Sequence, residues 1–388
     1  MARAAVGLIW TTPFAVPCAV EGQTPVTAVG LGYQVEAVDA RASALASLGG
    51  GLLGGSFSIR HPADLVLHGD PSFSMTYATE AVDFTGPDAN WQTGRTRFPA
   101  IRALFPFGDW GLGIGFGGEL DQSWNASVRD SVELGGVQRP YEDTRENDGG
   151  LSHIDLSVAR SLGPVGIGVS AQRMTGSLRQ LFVRSFDAHS EEAGLNGVAG
   201  ARSYSYSGWR VGVGGLVQIG DWALASVSLS PGSTVDSYIQ EGEGDETQFG
   251  LPALLSAGVS ARFGQLMLTG SWSRRKWQDA ALPADAEFSA HETTWLGGGA
   301  ELDAFSLLGG RVPLRLGYRV ADLPFSTTGE VTQERAMTLG FGWIFREGLA
   351  AADVSAETGS RTLDSSGSGS SEGFSRITVT FSLRQRLR

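Results

Sequence analysis

Residues 110–120 read WGLGIGFGGEL, and this stretch limits the possible folds more than any other part of the chain. Bulky apolar residues alternate strictly with glycines here, so a strand would carry large side chains on one face and none on the other. A half-buried strand of a soluble protein places polar residues on its second face. A vacant face indicates instead a plug, a ligand or a cavity behind the strand. The stretch therefore predicts the wall of a membrane-spanning barrel.

Alternating segments recur from residue 72 onward, and the connections between them fall into two length classes. Short connections lie at 107–109, 161–164, 219–221, 263–265, 304–309 and 345–348, and long polar ones at 85–94, 137–150, 189–202, 231–248, 279–290, 324–330 and 362–372. Short turns at one rim and long loops at the other are typical of transmembrane barrels. The chain is therefore predicted to be all-β, with a transmembrane antiparallel β-barrel of about 14 strands over residues 72–388.

Three rows of apolar residues are predicted to face lipid. They comprise Val312, Leu314, Leu316, Tyr318 and Val320; Met337, Leu339, Phe341, Trp343 and Phe345; and Leu251, Leu255, Val259 and Phe263. The opposite face of the first row carries Arg311, Arg315 and Arg319, which must face a polar lumen, because a charge facing lipid near the midplane costs about 2–4 kcal/mol. These arginines either attract a carboxylate or another anion, or pair with inward acids such as Glu301; pairing is favoured.

Charge and composition argue against several other functions. The net charge of −12 and the dispersed basic residues argue against a nucleic-acid partner. Cys18 is the single cysteine, so no intramolecular disulfide can form. His153, Asp155 and Ser157 have the residue types of a hydrolase triad, but same-face neighbours on one strand lie about 6–7 Å apart, too far for a relay of hydrogen bonds. The chain is not predicted to be an enzyme, and no cofactor or metal site is predicted.

The first 71 residues differ in composition from the barrel. Residues 1–22 contain Arg3 followed by an apolar run, and they resemble a secretory signal peptide. Residues 23–71 are too rich in glycine to hold a strand or long helix in register and too apolar to be a solvated linker. They are therefore predicted to form a hatch, or plug, inside the lumen, with Leu65 and Leu67 against the inner wall.

The order of these features resembles the FadL/TodX-like family of outer-membrane transport barrels, which includes PorV-like members. A small-residue stretch and a glycine cluster there precede a motif that is usually Asn-Pro-Ala-Gly-Leu. This chain has His61-Pro62-Ala63-Asp64-Leu65, so a histidine replaces the usual asparagine. Residues 251–277 and 311–325 are also similar to later strands of FadL-like proteins.

The resemblance implies a location in the cell outer membrane, contact with outer-membrane lipid, and passive uptake of small hydrophobic molecules such as long-chain fatty acids. It leaves open a PorV-like barrel that serves protein secretion or surface assembly through a protein partner at its outer loops. FadL-like barrels have a lateral opening at the third strand. The matching strand here is predicted to carry such an opening, at Gly111, Gly113, Gly115 and Gly117. A continuous, unkinked wall is the alternative.

Inward positions supply the candidate substrate path. The residues assigned to it are Leu65, Leu67, Met174, Trp222, Leu224, Trp295, Arg315 and Arg319. The apolar members equally fit simple packing against the plug. Inward glycines are predicted either to clear volume for a plug and an apolar ligand or only to relieve barrel curvature.

Overall fold

The structure, a computed structural model, describes residues 27–85, 90–134, 136–186, 196–242, 244–282, 288–327, 329–345, 348–362 and 371–385. The predicted signal peptide lies outside the described residues. The strands are β1 (Tyr33–Gln34), β2 (Ser72–Thr85), β3 (Asn90–Phe107), β4 (Trp110–Asp121), β5 (Trp124–Leu134), β6 (Val137–Leu162), β7 (Val165–Phe186), β8 (Val198–Ile219), β9 (Ala223–Ser230), β10 (Ser233–Glu241), β11 (Thr247–Leu251), β12 (Leu254–Phe263), β13 (Leu266–Lys276), β14 (Ser289–Ala290), β15 (Glu292–Leu307), β16 (Gly310–Asp322), β17 (Phe325–Ser326), β18 (Gln333–Phe345), β19 (Ala350–Thr362) and β20 (Ser371–Arg384). Helix α1 spans Ala40–Ala44, and 3-10 turns span Pro62–Leu67 and Trp277–Asp279. Among the described helices, none has the length and hydropathy needed to cross a membrane.

Fourteen of these strands close into an antiparallel barrel, which confirms the predicted fold. Their order is β2, β3, β4, β6, β7, β8, β9, β12, β13, β15, β16, β18, β19 and β20, and β20 pairs with β2 from Ser72 opposite Arg384 to Thr85 opposite Ser371. Closure removes the exposed edges of an open sheet, which lipid could not hydrogen-bond.

The outward face of the barrel is apolar along most strands, as predicted. Leu314, Leu316 and Tyr318 of β16 are exposed, as are Met337, Leu339, Phe341 and Trp343 of β18 and Leu255, Val259 and Phe263 of β12. The inward face alternates with these residues and carries glycines, serines and charged side chains. This pattern is that of a barrel wall between lipid and a polar lumen.

The prediction is wrong for two residues of the lipid-facing rows. Leu251 is only 2% exposed, because it ends the separate strand β11 beside Pro252 and does not belong to β12. Val312 is buried while Arg311 is 63% exposed, because the alternation of β16 breaks beside Pro313, near the short turn. A regular two-residue period therefore fails where proline interrupts a strand.

Two of the predicted long loops are largely strands. The β5–β6 hairpin is paired from Trp124 opposite Asn147 to Leu134 opposite Val137, and β10 pairs with both β8 and β11. Residues 137–150 and much of 231–248 therefore extend the sheet past the apolar band. Most side chains of this extension are polar, so its sequence pattern differs little from that of a loop.

Residues 27–71, here called the amino-terminal segment, lie between opposite walls of the barrel. Helix α1 contacts β16, β18, β19 and β20, whereas the turn Pro62–Leu67 contacts β3, β4, β6, β7 and β8. Asp39 caps α1 by accepting from the Ala42 amide at 2.8 Å, and it also accepts from the Ser56 hydroxyl at 2.8 Å. The Ser260 hydroxyl of β12 donates to the Gly51 carbonyl at 2.7 Å. The segment is thus held to the inner wall by hydrogen bonds as well as by packing.

Candidate functional site

The hydrogen-bonded ladder between β3 and β4 stops partway along the two strands. It runs from Phe107 opposite Trp110 to Ala100 opposite Gly117. Beyond that pair, the described part of β3 is paired with β2 alone. The other edge of β4 stays paired with β6 from Trp110 opposite Arg160 to Asp121 opposite Gly150. One side of β4 therefore separates from its neighbour beyond Gly117.

The amino-terminal segment occupies the edge of β4 that β3 leaves. The register against β6 shifts between Gly118 and Leu120, so Glu119 forms a bulge and its side chain is buried in the lumen. Tyr33 pairs opposite Asp121, and the Val35 amide donates to the Glu119 carbonyl at 2.9 Å. The amino-terminal segment therefore pairs with β4 directly beyond the point where the pairing with β3 stops.

The four glycines assigned to a lateral opening lie in the part of β4 that is still paired with β3, next to the interruption. Gly111, Gly113, Gly115 and Gly117 are paired with both β3 and β6. An added Cβ at Gly111 or Gly113 would come within 2.9 or 2.8 Å of Leu65. These glycines thus admit the amino-terminal segment, and the ladder is interrupted one residue beyond them.

Most inward glycines have the same role of close approach. A Cβ would lie within 3.1 Å of the amino-terminal segment at Gly111, Gly113, Gly115, Gly117, Gly166, Gly168, Gly214, Gly258, Gly297, Gly299, Gly317 and Gly340. Gly212 and Gly342 differ, since a Cβ there would meet wall side chains, Ser170 at 2.6 Å and Asp353 at 2.5 Å. The vacant face of the wall is therefore filled by backbone and side chains of the amino-terminal segment.

Four residues assigned to the substrate path pack against the amino-terminal segment or belong to it. Leu65 packs with Leu104 and Ala159 of the wall. Leu224 is buried with several residues of the segment, and Leu67 is partly buried against the same cluster. Trp295 packs on Leu48. The structure thus places these four side chains in three separate contacts between wall and segment.

Met174 belongs to a different group, here called the outer apolar cluster. Its members are Leu120, Leu151, Met174, Leu178, Tyr206, Val235, Phe249, Leu251, Trp277 and Phe325, with Val29 and Leu31 packed against them. Leu120 follows the bulge directly, so this cluster borders the interrupted ladder. Trp222 lies in the turn after β8 and is 52% exposed; it therefore packs in none of these clusters, because it precedes the alternation of β9.

The inward arginines of β16 are paired, which confirms the favoured interpretation. Arg315 donates to Glu301 at 2.7 Å and to Asp353 at 2.6 Å. Arg319 pairs with Glu334 and Glu357. Arg311 leaves the lumen near the short turn and lies 3.5 Å from Asp303. The carboxylates neutralise the two buried guanidiniums, so neither is a bare anion site.

A larger ionic network surrounds Tyr33, and sequence analysis missed it. The ring lies 4.4 Å from the Arg95 guanidinium and 5.0 Å from that of Arg361, and its hydroxyl accepts from Arg376 at 3.0 Å. Wall residues of the network are Glu80, Arg95, Arg97, Arg319, Glu334, Glu357, Arg361, Glu372 and Arg376. Most of these charged residues occupy inward positions on their strands, and this pattern in the sequence could have indicated a polar network. The pairs themselves could not be predicted, because the partners lie far apart in the chain.

The residues with triad chemistry do not form a relay. The Ser157 hydroxyl donates to Asp155, which also accepts from Gln172 at 3.3 Å. The His153 ring faces Glu119 instead, at 3.6 Å. In a hydrolase triad the serine hydroxyl donates to the histidine, and the histidine in turn donates to the aspartate.

The fold and lumen together define a membrane-spanning β-barrel with its own amino-terminal segment between the walls. No protein-family model matches the chain, and no curated protein does. Solved structures do match. A FadL homologue from Pseudomonas aeruginosa has a TM-score of 0.61 at 12% identity, with 90% of this chain and 99% of that chain covered. The resemblance to FadL/TodX-like barrels is thereby confirmed for the fold.

Two further structures have the same architecture. The toluene transporter TbuX of Ralstonia pickettii has a TM-score of 0.54 at 13% identity, covering 91% of this chain and 99% of its own. The monoaromatic hydrocarbon channel CymD has a TM-score of 0.56 at 12% identity, covering 92% and 99%. Both of these neighbours are described as transport proteins, not as enzymes.

Proposed function

We propose that the protein is an outer-membrane channel for passive uptake of small hydrophobic molecules, which leave the lumen sideways through the interrupted ladder. The end of the β3–β4 pairing at Ala100 and Gly117 is the observation that carries this proposal. A molecule that passes through the wall enters the bilayer directly. It thereby avoids transfer into water, which costs about 0.8 kcal/mol for each methylene group.

The surroundings of the interruption support this route. The outer apolar cluster reaches the bulge of β4 through Leu120. The β4 edge beyond Gly117 is paired with Tyr33 and Gln34 of the amino-terminal segment, so this part of the segment must move aside for cargo to leave. Phe98 of β3 and Phe116 of β4 are exposed aromatic residues near the gap. The gap thus adjoins the outer end of the apolar band, where lipid would receive the cargo.

Toluene and monoaromatic hydrocarbons, named for the similar TbuX and CymD, are the first cargoes to test. Long-chain fatty acids are a second class, which the family resemblance implies. In this proposal residues 23–71 act as the plug that blocks a straight path through the barrel. Residues 1–22 act as the secretory signal that directs export of the chain.

A protein partner at the outer loops is the second candidate function. It is favoured by the polar sheet that continues past the apolar band, in which Val128 and Arg129 of the β5–β6 hairpin are both exposed. Deletion of residues 124–147 separates the two functions. Loss of a secretion phenotype with unchanged hydrocarbon uptake would support the partner function, and the reverse result would support the channel.

A disulfide across the gap tests the sideways exit. Pro99 and Gly118 follow the last paired residues of the two strands, so a Pro99→Cys/Gly118→Cys variant would join the strands where they separate. Radiolabelled toluene uptake by cells should fall under oxidising conditions and recover with reductant. The matched control is Phe105→Cys/Leu112→Cys, because those residues already pair directly and their disulfide leaves the gap unchanged. Equal uptake in both oxidised variants would contradict the exit.

A further inference from the structure

Strand β5 forms an open edge of the polar sheet that continues past the apolar band. It pairs with β6 over its whole length, from Trp124 opposite Asn147 to Leu134 opposite Val137. In the described part of the chain, no strand is paired with its other side. Residues 126–131 in the middle of β5 are all exposed. At about 3.3 Å for each residue, this leaves roughly 20 Å of strand edge uncovered.

Backbone groups of alternate β5 residues point to the open edge. The Ser131 amide donates to the Asp130 carboxylate at 2.7 Å, so it is not part of the ladder with β6. Residues of an antiparallel pair alternate between those that bond to the partner strand and those that do not. Ser127 and Arg129 therefore share the orientation of Ser131, and their N–H and C=O groups face the open edge. The edge thus offers a row of backbone donors and acceptors at the spacing of a strand.

The sequence of β5 does not block the addition of another strand. Residues 124–134 contain no proline, and their register against β6 has no bulge. Prolines and bulges are among the devices by which proteins prevent edge pairing. The groups that match alternating N–H and C=O groups along an edge are those of another extended backbone. The edge therefore fits a polypeptide segment, whereas a hydrocarbon cargo has no group that could pair with it.

One face of the β5–β6 hairpin, here called the acidic face, is negatively charged. The charged side chains of this face are Arg129, Glu133, Glu142, Glu146 and Asp148, and Arg179 of β7 lies opposite Asp148. Arg129 already pairs with Glu142 at 3.3 Å. Four carboxylates thus face two guanidiniums, so the acidic face attracts basic side chains.

The opposite face of the hairpin presents apolar side chains along the open edge. Trp124, Ala126, Val128 and Val132 of β5 lie there, and Val128 is 61% exposed. Asp130 is the one charged residue of β5 on this face. The other charged residues of this face belong to β6 and β7, at least one strand further from the edge, and are Arg139, Asp143, Arg145 and Arg184. A strand added to β5 would therefore place every second side chain against apolar neighbours.

We propose that β5 binds an extended segment of a protein partner, which joins the open edge as an added strand and alternates basic with apolar residues. Its basic side chains lie over the acidic face, and its apolar ones contact Val128 and Val132. Main-chain hydrogen bonds supply the affinity, and the alternation supplies the specificity. Because this inference names the partner class for the second candidate function, it rests on that proposal.

Fluorescence anisotropy with the purified full-length protein tests the edge. The probe is a fluorescein-labelled peptide of alternating lysine and valine, about 8 residues long. The variant Ser127→Pro removes an edge amide, and proline is tolerated where the N–H of an edge strand faces solvent. It should weaken peptide binding by at least about tenfold. The matched control is Ser127→Ala, which loses the same hydroxyl contact with Thr144 but keeps the amide and should bind as the unmutated protein does.

A peptide series decides the chemistry. Methylation of either the valine amides or the lysine amides removes donors along one edge of the probe only. One of the two methylated peptides should therefore lose binding and the other retain it, and the same affinity for both would overturn strand addition. A peptide with glutamate in place of lysine should bind more weakly. Equal binding of the glutamate peptide would overturn the charge assignment.

Other occupants and other failures give different results. Heat-modifiability on gels confirms that both Ser127 variants are folded, and equal peptide affinity of the two would overturn the edge site. Self-association of the unmutated protein that Ser127→Pro abolishes, seen by light scattering, would mean that a second copy occupies the edge and would overturn the partner segment. Absence of a secretion phenotype after deletion of residues 124–147 would refute the partner function without affecting the peptide result.

Discussion

At the scale of single residues, the inward glycines are sites of close approach between two layers. Gly258 is the clearest example, because an added Cβ would overlap the Gly50 carbonyl and lie 2.8 Å from its carbon. All three of its nearest contacts belong to backbone of the amino-terminal segment. A side chain at this position would therefore clash with the amino-terminal segment and not with the barrel wall.

Replacement Gly258→Val is expected to displace the amino-terminal segment while the barrel still closes. Cleavage by protease within residues 27–71 should increase, and heat-modifiability should remain. The matched control is Gly270→Val on the neighbouring strand, where the nearest atom to an added Cβ is 3.9 Å away. Equal protease resistance of the two variants would show that the segment does not depend on this contact.

Sequence alternation predicts residue positions well where strands are regular and fails where they are not. Leu65, Leu224 and Arg315 lie inside as expected, because each belongs to a regular strand or to the apolar segment. Trp222 and Arg311 differ because they adjoin turns, where the two-residue period ends. The Glu119–Arg275 pair could not be predicted, since it joins strands 156 positions apart across the lumen.

At the scale of elements, β4 changes its partner along its length. Its first part pairs with β3, and its last part pairs with β1 of the amino-terminal segment. The bulge at Glu119 marks the change, because an extra residue bends a strand and increases its twist. The alternation of β4 ends at the adjacent glycines Gly117 and Gly118, so the sequence marks the place of the bulge but not the change of partner to β1.

Val35→Pro tests whether this pairing holds the segment to β4. Proline has no amide hydrogen, so the bond from Val35 to the Glu119 carbonyl is lost, which costs about 1 kcal/mol. Hydrogen exchange in residues 119–121 should become about fivefold faster. Val35→Ala keeps the amide and should exchange as the unmutated protein does. Unchanged exchange in Val35→Pro would contradict a role for this bond.

The number of strands can be predicted from the sequence, because the short turns between strands are easily recognised. The lengths of the strands cannot be predicted in the same way. β6 and β7 continue far past the apolar band, and the outer half of β6 is largely polar. Their pairing there includes contacts such as Arg184 with Asp143 at 2.6 Å, which alternation in one strand cannot reveal. The sequence therefore does not distinguish the polar sheet beyond the membrane from loops.

At the scale of the whole molecule, the lumen has two unlike halves. The wall around Tyr33 carries paired guanidinium and carboxylate groups, and the side that includes Met174 and Trp277 is apolar. Most of the ionic pairs join wall to wall, such as Arg315 with Glu301 and Arg361 with Glu80. Those pairs would persist if the amino-terminal segment were absent, so the wall does not need the segment for its charge balance.

Deletion of residues 27–71 is therefore expected to leave a closed barrel with a water-filled lumen. Eight strands enclose only side chains and barrels of 16–18 strands leave an aqueous channel, so an emptied barrel of fourteen should conduct ions. In planar bilayers the truncated protein should show discrete conductance steps and the full-length protein none. Trp277→Ala in the full-length chain is the control, because it trims the outer apolar cluster and keeps the segment. If the truncated barrel conducts no better than the full-length protein, the amino-terminal segment is not what closes the pore.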